Sequence, residues 1–111
     1  MKNIFPEPIL NLPKAKMPVQ ACTGFLFQGE KQQIIFLNVS QDTAIPVHTH
    51  AAQWEVVLEG KVELEIDGEK HSYTKGESFY IPENAPHSVN ITAGYAAIVL
   101  FDQPDRYVPM D

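Results

Sequence analysis

From about residue 20 to residue 101 the apolar positions recur every second residue, the period of a strand and not of a helix. The cleanest stretch has Val62, Leu64 and Ile66 alternating with Lys61, Glu63 and Glu65. One face is apolar and the other charged, as in a strand with one side on a core and one in water. Asp67-Gly68 follows directly. A two-residue Asp-Gly connection favours a type I′ hairpin, because both residues tolerate positive φ. Further strands are predicted near 21–28, 32–39, 45–50, 53–59, 70–74, 78–81, 87–92 and 95–101, and Gly29-Glu30, Glu59-Gly60, Lys75-Gly76 and Ala93-Gly94 mark turns between them. Parity turns Phe79 and Ile81 inward and Tyr80 outward. Many short strands with no helical window predict an all-β chain, an antiparallel sandwich or barrel.

The ends differ from this middle. Residues 1–18 carry Pro6, Pro8, Pro13 and Pro18, which break a helix and cannot donate to a central ladder. They are expected to form an extended arm along the domain or a neighbouring subunit, with residues 19–111 as one barrel domain. Residues 102–107 read as a packed tail, in which Arg106 and Tyr107 could cap the barrel or a ligand but are left out of the site. At 111 residues the chain is long enough for one core and too short for two.

Charge and cysteine content narrow the partners. Fourteen acidic against eight basic residues leave −6, with no Lys/Arg cluster, so neither a nucleic-acid backbone nor an anionic membrane is an expected partner. The longest apolar run, Tyr95 to Phe101, is far short of a membrane span. The first residues lack the apolar run of a signal peptide, and a cytoplasmic location is expected. Cys22 is the sole cysteine, which excludes an internal disulfide and a thiolate zinc site and leaves a small buried hydrophobe.

The candidate chemistry lies in histidines. His48 and His50 are two apart, so on one strand both rings leave the same face, and His87 shares parity with Val89 and Ile91. An imidazole on a core-facing stripe must be hydrogen-bonded or metal-bound. Three in one cavity point to a divalent metal. On the next strand Gln53 and Glu55 share a face, with Trp54 on the other, and both are candidates for a fourth ligand. On charge alone the carboxylate is the better one. A carboxylate merely solvated at the barrel mouth is the plainer alternative for Glu55. His71, just past a hairpin, is expected to be exposed.

Two motifs resemble those of the cupin superfamily. The first supplies His48-Thr49-His50 and the strand ending Val57-Leu58-Glu59-Gly60; the second supplies Gly76, Pro82, Asn84 and His87. The separation from Lys61 to Lys75 is that of small single-domain cupins. The chain departs from the pattern at Asp42 and Asn84, each in place of a Gly, and at Ile91, in place of an Asn. Counting forward from His50 places the motif's glutamate at Glu55, whereas counting back from Gly60 places it at Gln53. The strand ending fixes register better than a loop of variable length, which favours Gln53, bound through its amide oxygen, and leaves Glu55 free as a general acid or base.

The resemblance implies a jelly-roll β-barrel of two antiparallel sheets and a homodimer. It also implies one divalent transition metal per chain (iron, manganese, nickel, zinc or copper) held by His48, His50, Gln53 and His87. By the same resemblance the function is enzymatic: a metal-dependent isomerase, lyase or dioxygenase acting on a small oxygenated molecule such as a sugar acid or keto acid. The alternatives are a non-catalytic cupin that binds or senses a small ligand and a metal-free structural cupin whose three histidines are only hydrogen-bonded.

Overall fold

The computed structural model describes residues 3–110; residues 1, 2 and 111 of the expected arm and domain lie outside that range. Nine strands form two antiparallel sheets. They are β1 (Cys22–Gln28), β2 (Gln33–Val39), β3 (Thr43–His48), β4 (Gln53–Glu59), β5 (Lys61–Ile66), β6 (Glu69–Thr74), β7 (Ser78–Ile81), β8 (His87–Ile91) and β9 (Tyr95–Phe101). The five-stranded sheet runs β1-β2-β9-β4-β7 and the four-stranded sheet β3-β8-β5-β6. Chain order thus crosses repeatedly between the sheets, as in a jelly roll. The all-β class and the two antiparallel sheets are as the sequence predicted.

The alternation explains the packing. Val57, Val62, Leu64, Ile35, Val39, Ile81 and Val99 are buried between the sheets. Phe79 and Ile81 turn in and Tyr80 turns out, as parity requires. Cys22 is a buried free thiol, and burial raises its pKa. Asp67 and Gly68 both take positive φ, 54° and 76°, so the β5–β6 hairpin has the expected type I′ geometry. Asp42 accepts a 2.8 Å hydrogen bond from the Ala93 N–H, a role for its side chain that glycine could not fill.

The arm is a correction. Residues Glu7–Leu10 form one turn of α-helix, α1, where no helix was expected. Pro6 and Pro8 stand at its start, where the missing N–H is no loss because the first-turn donors have no helical acceptor. Beyond α1 the chain is extended and runs along its own domain. Ala15 donates to the Gly24 carbonyl and Leu26 to the Pro13 carbonyl, both at 2.8 Å, so the arm covers the β1 edge. The tail then pairs with the arm through Lys16–Val108 and Met110–Lys14 hydrogen bonds. Phe5 seals this end, edge-on against Phe25 and Phe36.

The outer faces of the two sheets differ. On the four-stranded sheet Lys61, Glu63, Glu65 and Lys70 alternate with the core residues. On the five-stranded sheet Phe27, Ile34, Leu100, Trp54 and Tyr80 pair side by side and make one apolar row across every strand. Phe27, Trp54 and Tyr80 are exposed by 53%, 42% and 61%.

Gly60 and Gly68 both sit at positive φ for different reasons. A Cβ on Gly60 would lie 2.9 Å from the Tyr95 Cα, whereas one on Gly68 meets nothing within 4 Å. Gly68→Ala is expected to cost about 1 kcal/mol, the left-handed strain alone. Gly60→Ala is expected to cost about 2–3 kcal/mol, because strand backbone must also move. Urea unfolding measures both, and equal losses would refute the packing argument.

Candidate metal centre

The three histidines are delivered by two strands and one turn. His48 ends β3 directly opposite His87, the first residue of β8. The register breaks between Ile45 and His48, across Pro46, which is tolerated because β3 is an edge strand. His50 lies beyond β3, so the two histidines do not share one regular strand as the 45–50 assignment supposed. Instead the His50 carbonyl accepts a 2.9 Å hydrogen bond from Asn84 N–H. Asn84 is at φ 61° in the turn before His87, a conformation asparagine adopts more readily than most residues. One backbone bond thus ties the two histidine-bearing segments together.

The rings converge. Centroids are 4.3 Å apart for His48–His87, 4.8 Å for His50–His87 and 5.2 Å for His48–His50. One nitrogen from each lies within 4.8 Å of the others. Each Nδ1 meets a backbone carbonyl: Pro46 at 2.8 Å for His48, Ala51 at 2.7 Å for His50 and Ala85 at 2.8 Å for His87. A carbonyl only accepts, so each neutral ring carries its proton on Nδ1 and keeps the Nε2 lone pair free. Burial, and then the charges of Arg106 and the other histidines, outweigh the carbonyl contact and lower the His50 pKa to about 4. Burial lowers that of His87 too. Three imidazoles with Nδ1 groups oriented by carbonyls and Nε2 lone pairs left free are a donor set that fits a divalent transition metal.

Gln53 and Glu55 both face this cavity from β4, while Trp54 points out. Glu55 is 6% exposed, which removes the alternative of a solvated carboxylate at the mouth. Its oxygens are both engaged: Tyr95 donates its hydroxyl to Oε2, and Gln53 donates Nε2–H to Oε1 at 2.8 Å. Burial outweighs those two donors and lifts the Glu55 pKa to about 7. Among the described residues the metal-competent cluster comprises the three histidines without Glu55. With its nitrogen committed to Glu55, Gln53 has its amide oxygen left as a free donor atom.

The sequence did not single out Tyr95 or Gln33, and it left Arg106 and Tyr107 out of the site. Tyr95 is fully buried behind Glu55. Gln33, 1% exposed on an apolar stripe, accepts from Tyr107 N–H at 3.0 Å and donates to Tyr107 carbonyl at 2.8 Å. This clamp lays the tail over the cavity, so that Arg106 and Tyr107 line it beside the histidines. A polar residue among Ile35, Leu37 and Val39 was the one available signal. The cavity holds about 100 Å³, well below the roughly 300–1,000 Å³ of drug-sized ligand sites.

The cupin domain family matches residues 35–102, from β2 through the end of β9. The chain belongs to the cupin family. Over 110 residues this cupin is 30% identical to quercetin 2,3-dioxygenase of Bacillus subtilis, with 82% of the chain covered. It spans only 33% of that relative's length. Among solved structures it is similar to an RmlC-like cupin from Shewanella frigidimarina, with TM-score 0.72, 21% identity, and 85% and 86% of the two chains covered. KdgF from Halomonas sp. gives TM-score 0.69 at 19% identity, with 83% and 86% covered. At these identities the two structures support the fold alone. No helix among the described residues is long and apolar enough to cross a membrane.

The buried carboxyl makes a pH prediction for metal-free protein. The folded-state pKa of Glu55 is raised, so its contribution to stability is present below about 4.5 and is lost as pH rises through about 7. Glu55→Gln escapes that loss. The variant is expected to gain on the native chain from pH 5 to pH 8.5, by up to about 3 kcal/mol at ~1.4 kcal/mol per pKa unit. His50, whose stability contribution is lost as pH falls from 6.5 towards about 4, is common to both and cancels. Urea titrations across that range check it, and a difference that shrinks as pH rises would refute it.

Proposed function

We propose that this cupin is a metal-dependent enzyme acting on a small oxygenated substrate, with His48, His50, His87 and Gln53 as the metal ligands. The observation that carries this reading is the set of three free Nε2 atoms facing one another, each ring fixed by a carbonyl at Nδ1. A bound divalent metal would act as a Lewis acid on a coordinated oxygen. Glu55 supplies proton transfer at Oε1, the oxygen on the Gln53 side. A pKa of about 7 lets it give or take a proton near neutrality. Tyr95 anchors Oε2 from behind and keeps the carboxyl aimed at the cavity. The similarity to quercetin 2,3-dioxygenase supports an enzymatic reading without fixing the reaction.

A homodimer through the five-stranded sheet is part of the same proposal. The row Phe27–Ile34–Leu100–Trp54–Tyr80 has no charged member, and the opposite sheet carries the charge. An uncharged apolar face is complementary to its own copy, and stacking two such sheets removes both from water. Because Trp54 and Tyr80 are exposed in one chain, Trp54→Glu is expected to convert a dimer to a monomer in analytical ultracentrifugation, with the melting curve of the fold retained. A monomeric native chain at micromolar concentration would overturn this part.

Elemental analysis of purified protein tests the metal site. The native chain is expected to carry about one divalent metal, His50→Ala none, Gln53→Ala at least tenfold lower affinity, and Glu55→Gln native content. Loss of metal in Glu55→Gln with retention in Gln53→Ala would reverse the two roles.

A further inference from the structure

Arg106 has no assigned task in the fold. It lies beyond residue 102, where the family match ends, yet it lines the histidine cavity. Its guanidinium sits over two aromatic rings, with Cζ 4.9 Å from the Tyr107 centroid and 5.7 Å from that of Phe101. Stacking of this kind fixes the plane of the guanidinium and leaves its edge donors free. Arg106 Nε is the one buried side-chain N or O without a hydrogen-bond partner among the described residues. Buried N–H groups normally have partners.

The nearby acids do not supply one. Glu55 shares the cavity, but its oxygens are taken by Tyr95 and Gln53. Asp105 accepts from Gln103 and Asp102 from Gln32. Neither of the ion pairs among the described residues includes Arg106. The Gln33 clamp on Tyr107 holds the neighbouring backbone at two points, so the arginine is positioned by the fold.

We propose that Arg106 binds the carboxylate of the substrate and so makes this cupin selective for small organic acids bearing a second oxygen. The inference rests on the metal-centre reading above, because the second oxygen is the group that would meet the histidine cluster. Nε–H and one Nη–H form a two-pronged edge matched to a carboxylate. A cavity of about 100 Å³ has room for a few heavy atoms, so both anchors must lie close together on the ligand. Arg106 also places a fixed positive charge beside the histidine cluster in a chain whose net charge is −6, which favours an anion over an uncharged analogue.

Calorimetric titration with pyruvate and its uncharged isostere pyruvamide tests this on nickel-loaded and chelator-stripped protein, with metal content measured separately. Pyruvate is expected to bind at least tenfold more tightly than pyruvamide. Arg106→Gln is expected to abolish that preference while leaving nickel content unchanged. Arg106→Lys, which keeps the charge and loses the two-pronged edge, should fall between. Equal binding of the two ligands by nickel-loaded native protein, or a preference that survives in Arg106→Gln, overturns the inference and leaves the metal reading standing. If the native chain takes up no nickel, the metal reading fails and the stripped protein decides. A pyruvate preference there that Arg106→Gln removes supports the Arg106 site, and none overturns it.

Discussion

The arrangement on which the rest of the structure depends is a set of three imidazoles whose Nδ1–H groups are each spent on a backbone carbonyl. That choice of acceptor fixes the tautomer, and the tautomer fixes where the lone pairs point. The backbone around the histidines serves this geometry. Pro46 sits in an irregular edge strand, Asn84 takes a positive φ, and its N–H crosses to the His50 carbonyl. Burial lowers the pKa of His50 and of His87 and so disfavours their protonated forms.

The same cavity treats two neighbouring side chains oppositely. Gln53 and Glu55 sit on one face of β4, two residues apart, and a hydrogen bond joins them. Burial disfavours the charged form of Glu55, while Tyr95 and Gln53 favour it, and the balance falls near neutrality. A carboxyl poised in this way depends on Tyr95 being held rigidly. Gly60 allows this by letting the β4–β5 turn pass against the Tyr95 backbone without a side chain between them.

Much of this was legible in the sequence because it is carried by period and parity. The alternation in Val62–Ile66, the Asp-Gly hairpin and the inward turn of Phe79 and Ile81 all follow from a side-chain repeat of two. The histidine cluster was legible through residue type and motif spacing. What parity could not give was the end of β3 before His50, because a bulge resets the register locally. The α1 turn escaped because proline breaks a helix in its interior, whereas at the start of one it breaks nothing. Tyr95 and Gln33 escaped for another reason. Each looks like one more core position until its partner, distant in the chain, is known.

The clamp between Gln33 and Tyr107 gives the tail an unusual relation to the barrel. Arg106, which lines the histidine cavity, hangs from a segment outside both sheets that is stitched down by Gln33 at Tyr107, Gln28 at Pro104, Gln32 at Asp102 and a few bonds to the arm. Segments outside the regular elements tolerate sequence change better than the strands they adjoin. The strands can therefore keep both the fold and the histidine cluster while the rim is rewritten: substitutions after β9 change what borders the cavity beside Arg106 and Tyr107 and leave both sheets untouched.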